Sequence, residues 1–329
     1  MLLNIKVCVV HIVIMRSVSV SVSVPVFTHL VFSGGGFLGL TYIGIIRYLQ
    51  QEGLDKHIKT VAGSSIGAVF AIVFAMGIET NVLEDEFSQL NEDFATFDLQ
   101  SILQITGSLG LTTGNGLVAK LSKHLGNKTF VEFVKQTGKH LVICATHVGT
   151  MKPVYFSVDT TPHVRVIDAV RASTAIPILV APVKIGDEYY IDGAVTHNLP
   201  VRCIPTDVDV HKDSVLIVSV SDASSYGFDM SAMSNNGLHT DGVTRVMTYV
   251  MRILQAATND MQSHQLLSST YTHYMYINDA PVGRIEFTMN EETNVFRANV
   301  PDRTTVEKCM LHGYNKMHSR YHQRQPSST

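Results

Sequence analysis

One stretch constrains the fold more than any other: Val61-Ala62-Gly63-Ser64-Ser65-Ile66-Gly67-Ala68. Gly63, Ser65 and Gly67 make a G-x-S-x-G. The short β-branched segment Ile58 to Val61 precedes it, and Ile66 to Met76, almost without a polar atom, follows it. A strand, a tight turn and a buried helix satisfy that text, the setting in which a serine nucleophile sits on a strained strand-to-helix corner. Such a corner needs neighbours without side chains, so that the hydroxyl projects and the crossing chains approach closely. Ser65 has glycine two residues away on both sides, whereas adjacent Ser64 does not. On its own the pattern also fits a glycine-softened βα turn in any α/β protein, so its company decides.

That company begins upstream. Thr28 to Ser33 reads as a buried strand and runs into Gly34-Gly35-Gly36-Phe37-Leu38-Gly39. Leu40 to Gln51 then places Leu40, Ile43, Ile46 and Leu49 at helical spacing, and Gly53 closes the segment. A glycine-rich turn that opens a helix presents backbone N–H groups free to bind an anion. Two functions compete for it. Gly34, Gly36 and Gly39 satisfy the dinucleotide fingerprint G-x-G-x-x-G, which also wants an acid at the end of the second strand. Here that strand ends in Gly63-Ser64-Ser65, and Glu52 and Asp55 fall in the preceding turn, so the dinucleotide reading fails. An oxyanion hole needs only the glycine turn and a nearby nucleophile.

Downstream, residues 80–117 are more polar and less regular, with an acidic patch at Glu84-Asp85-Glu86 and a Gly/Thr-rich run from Gly107 to Gly116. They read as a cap or mobile loop over a site, or equally as a plain surface insertion. Helices are expected over Leu117 to Leu125, Thr129 to Thr137 and His163 to Ala175, and strands over Leu141 to Ala145 and Val154 to Val158. Tyr189-Tyr190-Ile191 is a strand end followed by Asp192-Gly193-Ala194 and Asn198-Leu199-Pro200. An acid at the carboxyl end of a strand sits where open α/β sheets bind ligands; the alternative is an Asp-Gly hairpin turn. Val215 to Val220 and Thr270 to Ile277 read as strands, Val243 to Ala257 as a helix, and a basic helix closes the chain near Thr305 to His322.

Length and composition set outer bounds. The 329 residues can hold one large α/β domain or two ordinary ones, and 45% apolar residues support a sizeable core. A formal charge of −3 gives no reason to expect nucleic acid as a partner. Cys8, Cys144, Cys203 and Cys309 are scattered, which indicates neither a zinc site nor a disulfide framework and points to a reducing, intracellular setting. No calcium-loop spacing or His/Asp cluster is visible, so no metal or other cofactor is expected. Residues 1–25 form an apolar leader carrying Lys6, His11 and Arg16 and a Ser/Val alternation. It lacks the clean apolar centre and cleavage site of a signal peptide, and its charges interrupt any spanning window. It reads as an appended, disordered leader, with the folded domain over 26–329.

Three pieces in this order resemble the patatin-like phospholipases: Gly34-Gly-Gly-Phe-Leu-Gly39, Gly63-Ser-Ser-Ile-Gly67 and Asp192-Gly-Ala194. Gly110 to Gly114, Ala145-Thr146 and Arg171 to Pro177 add further landmarks, and the resemblance spans roughly Thr28 to Pro205. It implies a three-layer αβα domain with a mostly parallel sheet, and a Ser-Asp dyad that cleaves acyl esters of phospholipids or lysophospholipids without a metal. Carried over by position, Ser65 is the nucleophile, Asp192 the base, and the amides of Gly34, Gly35 and Gly36 the oxyanion hole. The partner implied is a lipid at a membrane or micelle surface; oligomeric state is not implied. The family usually has Arg or Lys just before the last glycine of the first motif, where this chain has Leu38. That departure puts in doubt any charge contribution there to the oxyanion or to a phosphate head group. The rivals are a neutral-lipid or general carboxylesterase with a Ser-His-Asp triad, for which His197 is the tempting histidine, and a catalytically silent lipid-binding relative.

Overall fold

The computed structural model describes residues 25–89, 96–204, 214–221, 242–268, 271–282, 287–290, 293, 295–298 and 300–322. The expected leader, Pro25 apart, lies outside them. In chain order the first elements are β1 (His29–Phe32), a 3-10 turn (Gly36–Leu40), α1 (Thr41–Gln51), β2 (Thr60–Ser64) and α2 (Ile66–Met76). There follow α3 (Thr80–Ser88), β3 (Thr96–Asp98), α4 (Leu99–Ser108), β4 (Gly110–Thr112), α5 (Asn115–Leu125) and α6 (Phe130–Thr137). Next come β5 (His140–His147), β6 (Lys152–Phe156), α7 (Val166–Ser173), β7 (Ile178–Val180), β8 (Val183–Ile185), β9 (Glu188–Asp192) and α8 (Ala194–His197). The last are β10 (Val215–Val220), α9 (Gly242–Ser268), β11 (His273–Ile277), β12 (Phe287–Asn290), β13 (Val295–Ala298) and α10 (Arg303–His322).

The central sheet runs β11-β10-β1-β2-β5-β9-β8, with β6 also paired to β5. From β11 to β5 every pairing is parallel; β6 and β9 run antiparallel to β5, and β8 antiparallel to β9. Side chains of the parallel strands alternate between faces with the strand period of two. Leu30 and Phe32, Val61, Leu141 and Ile143, and Leu216, Val218 and Val220 enter a large core cluster that includes the apolar sides of α1, α2, α7 and α10. Val31, Ala62, Val142, Val215 and Ile217 face the other way, onto Leu199, Val201 and Ile204. Both faces are covered, as a near-continuous apolar run in each strand demands. The architecture is thus α/β with a mostly parallel central sheet. In α2 every residue from Ile66 to Ala75 is buried, which explains a helix with no polar face. At roughly 1.5–3 kcal/mol per large apolar side chain, that helix is an anchor for whatever sits at its first residue.

Residues 80–117, read as a cap or mobile loop or equally as a surface insertion, are more regular than their sequence suggests. Their described part is organised as α3, α4 and α5, with β4 pairing parallel to β7. The acidic patch is structural: Glu84 meets Arg47 at 3.3 Å, Asp85 meets Arg303 at 3.3 Å, and Glu86 bonds His124 at 2.8 Å. These contacts tie α3 to α1, α10 and α5. The Asp-Gly hairpin alternative is also set aside, because Gly193 has φ −65° and leads from β9 directly into α8.

Candidate active site

The corner after β2 has the strain its sequence promised. Ser65 holds φ 53° and ψ −129°, a combination that favours glycine, and it is followed at once by α2. Gly63 and Gly67 explain the spacing. A Cβ on Gly63 would come within 2.1 Å of the Gly67 carbonyl oxygen, and one on Gly67 within 2.5 Å of Ser33 O. The chains cross so closely at both positions that only glycine fits.

Asp192 reaches Ser65 because of β5. Cys144 pairs with Ser64 on one side and Tyr155 on the other; the next residue, Ala145, pairs with Asp192 and Val154. With β6 filling one edge of β5, β2 and β9 share the other edge end to end. The last residue of each therefore falls on consecutive positions of the same neighbour. The outcome is a hydrogen bond of 2.6 Å from Ser65 Oγ to Asp192 Oδ2. Oδ1 accepts from the Ala194 N–H at 2.8 Å. The backbone of Asp192 is held too, its N–H donating to Ala175 O at 2.9 Å and its carbonyl accepting from Thr146 Oγ1 at 2.9 Å.

Asp192 is 3% exposed. Burial pushes its pKa up to about 7, against a smaller pull downward from the Ser65 and Ala194 hydrogen bonds. The carboxyl is thus poised to exchange a proton near neutrality.

Ser173 was missed by the sequence reading. Its hydroxyl accepts from the Ser65 N–H at 2.9 Å and donates to Cys144 O at 2.6 Å, bracing the strained corner against β5. Only its position within Arg171 to Pro177 hinted at a role.

The glycine turn divides. The Gly34 N–H donates to Asn198 O at 3.1 Å. That corrects the expectation for Gly34: its amide is committed within the protein and is not available to an oxyanion. What Gly34 gives instead is room, since a Cβ there would lie 2.5 Å from Asn198 Oδ1 and 2.9 Å from Ser65 Cβ. Among the described residues no acceptor pairs with the N–H groups of Gly35 and Gly36, and both glycines line the cavity that contains Ser65.

This cavity, of about 150 Å³, is bounded by Gly34 to Leu38, Ser65, Ile176, Pro177, Asp192, Ala194, Val195, Asn198, Val220, Ser221 and one side of α9. Leu38, which carries no charge, is among the residues lining this cavity. No described residue of 80–117 lines it. Nor does His197, which is 2% exposed and whose Nδ1 bonds the Tyr155 hydroxyl. Burial, with a further push from Arg202, lowers the His197 pKa to about 4. Among the described residues no three His, Cys, Asp or Glu side chains gather as a metal site requires.

A strained serine at the carboxyl edge of a parallel sheet, bonded to a buried carboxylate, places the chain among the α/β proteins with a nucleophile-elbow corner. The family is narrower. The model for the patatin-like phospholipases matches residues 30–203, and the chain belongs to that family.

It is 29% identical over 192 residues to a probable lipid hydrolase of Invertebrate iridescent virus 6, covering 56% of this chain and 65% of that protein. An uncharacterised protein of Acanthamoeba polyphaga mimivirus is 26% identical over 185 residues, covering 55% of this chain and 62% of its own length. Triacylglycerol lipase 5 of Saccharomyces cerevisiae is 32% identical over 163 residues, 46% of this chain and 21% of the lipase. The chain thus covers less than two thirds of each of these relatives. Among solved structures, VipD of Legionella pneumophila superposes with a TM-score of 0.50 at 18% identity, over 89% of this chain and 66% of VipD, a likeness of fold.

Proposed function

We propose that the chain is a lipid acyl hydrolase of phospholipase A or lysophospholipase type, working through Ser65 and Asp192 and an acyl-enzyme. The observation that carries the reading is the 2.6 Å bond from a strained, cavity-lining serine to a buried carboxylate. Ser65 Oγ attacks the ester carbonyl carbon while its proton passes to Asp192 Oδ2. The negative charge that develops on the carbonyl oxygen is met by the Gly35 and Gly36 N–H groups. Collapse expels the alcohol, which takes the proton back from Asp192. A water then gives its proton to Asp192 and its oxygen to the acyl carbon; collapse expels Ser65 Oγ, which takes that proton back from Asp192, and the fatty acid is released. A base near 7 holds its proton more firmly than an ordinary carboxylate at about 3.9, which suits it to this shuttle. The engagement of His197 with Tyr155, away from the cavity, favours the dyad over a triad.

The test is a panel of phospholipids, lysophospholipids, glycerides and short esters with wild type and Ser65→Ala, beside fluorophosphonate labelling mapped by mass spectrometry. Wild type is expected to release fatty acid and to carry the label on Ser65. A label on Ser64, or hydrolysis that survives Ser65→Ala, contradicts the reading.

A further inference from the structure

The family match ends at residue 203, yet much of the cavity wall comes from later in the chain. On α9, Met251, Leu254 and Thr258 form one row at i, i+3 and i+7, and Arg252, Gln255 and Asn259 form a second, and all line the cavity. The first row is apolar apart from the threonine hydroxyl; the second is polar and cationic.

The register of this helix is fixed two turns on. Gln262 is 1% exposed; its Nε2 donates to Val220 O at 3.2 Å and to Ser219 Oγ, and its Oε1 accepts from Asn198 Nδ2. Gln265 Oε1 accepts the Leu199 N–H at 3.0 Å. Because the Val220 carbonyl can only accept, Gln262 must turn its nitrogen there and its oxygen to Asn198. Asn198 in turn accepts the Gly34 N–H. The two rows of α9 are therefore held at a set rotation against the end of β10, the segment after α8 and, through Asn198, the glycine turn.

Among the described residues lining the cavity, Arg252 is the one cation and Asp192 the one anion. An ionised Asp192 repels an anionic substrate entering so small a space, and a guanidinium in the same wall offsets that repulsion. The planar fork of arginine matches phosphate oxygens in a way that a neutral glycerol hydroxyl does not.

We propose that Arg252, with Gln255 and Asn259 in its row, is a subsite for the phosphate of a lipid head group. Phosphate-bearing lipids are then preferred over neutral glycerides. The proposal rests on the reading of the cavity as an acyl-ester site.

It is tested on the full chain with dihexanoyl phosphatidylglycerol and dihexanoylglycerol, both held below aggregation. Arg252→Gln should lower the ratio of phospholipid to glyceride kcat/KM roughly 10- to 100-fold, the worth of one hydrogen bond to a charged group. The change should lie in KM, and Arg252→Lys should restore part of it. Ile253→Gln, at a neighbouring position that is 50% exposed, should leave the ratio unchanged. An unmoved ratio, or equal loss on both substrates, overturns the subsite. Competition by sub-millimolar inorganic phosphate, lost in Arg252→Gln, would reassign it to free phosphate and overturn the lipid assignment.

Binding calorimetry in a Ser65→Ala background separates this from the catalytic reading. Tighter binding of the phospholipid than of the glyceride, abolished by Arg252→Gln, supports the subsite even if wild type turns over neither. Equal binding of both overturns it. Failure of fluorophosphonate to label Ser65 counts against the dyad alone.

Discussion

The two sides of the cavity are built on opposite terms. Residues 30–203 contribute side chains whose placement depends on tight backbone geometry: the glycine turn after β1, the corner at Ser65, and the end of β9 that delivers Asp192. Beyond residue 214 the contribution comes from Val220 at the end of β10, from Ser221 after it, and from two rows of side chains on α9. Backbone geometry tolerates almost no substitution, since a Cβ at Gly63 or Gly67 meets a carbonyl oxygen at 2.1 or 2.5 Å. Side chains on a helix can be exchanged without moving the helix. The first side is suited to chemistry that must stay fixed, the second to substrate choice that can drift.

Mutations can break that contrast, and the largest effect belongs to the first side. Ser65→Ala should lower kcat/KM by about 10⁴-fold or more on every ester, because what remains comes from binding and the oxyanion donors alone. Retention of more than about a hundredth of wild-type activity would show that the corner is not the reacting centre.

Gly36→Val should follow with a loss of about 10²-fold or more, since φ 55° at Gly36 suits no β-branched residue and its N–H is one of two assigned to the oxyanion. Kinetics beside thermal unfolding check this: activity should fall much further than stability.

Ser173→Ala should cost about 1–2 kcal/mol of stability, from the buried Cys144 carbonyl and Ser65 N–H left without their partner. It should also lower kcat by roughly 10-fold with KM little changed, because the corner loosens while the walls stay. An effect on KM alone would move Ser173 to the substrate side of the comparison. The smallest expected effect is that of excess EDTA, which should leave activity within error; loss of activity restored by Ca²⁺ would contradict a metal-free dyad.

The unequal legibility of the two sides has the same cause. Glycine spacing at Gly34 to Gly39 and Gly63 to Gly67 is forced by close approach, so it stands out in the sequence. The apolar run Ile66 to Met76 coincides with α2 to the residue. What joins Ser65 to Asp192 is the register of β5, a long-range pairing that leaves no local trace. Residues 80–117 looked irregular because their polar residues meet partners on distant helices, as Glu84 does with Arg47. The helix expected over Val243 to Ala257 continues to Ser268, since its later residues, Gln262 and Gln265, are polar yet buried against the carboxyl end of β10 and the segment at Leu199. Nothing in their spacing distinguishes them from a solvated face. The Gly34 amide failed as an oxyanion donor for a reason of the same kind, a bond to Asn198 far along the chain.

Asp192 and His197, five residues apart, bring the contrast to one point. Burial drives both toward their neutral forms, the acid up to about 7 and the imidazole down to about 4. Only the acid faces the serine. Its folded-state pKa lies above the unfolded value of about 3.9, so the native state binds the extra proton and wild-type stability falls as pH rises from about 4 to 7. Asp192→Asn escapes that loss, and its stability relative to wild type should grow through the same window and then level off. Thermal unfolding of both proteins between pH 4 and 8 checks it; a difference that does not vary with pH would mean that the carboxyl is not held protonated by the fold.

The central claim is that Asp192, and no histidine, takes the proton of Ser65. The most direct measurement is kcat/KM against pH for wild type, Asp192→Asn and His197→Gln on one soluble ester. The base must be ionised to act, so wild-type activity should rise with pH through an apparent pKa near 7. Asp192→Asn should lose about 10³-fold or more at every pH, and His197→Gln should keep within about 10-fold of wild type with the same acid limb. A folded His197→Gln protein that loses 10³-fold or more, beside an Asp192→Asn protein that keeps appreciable activity, would contradict the account.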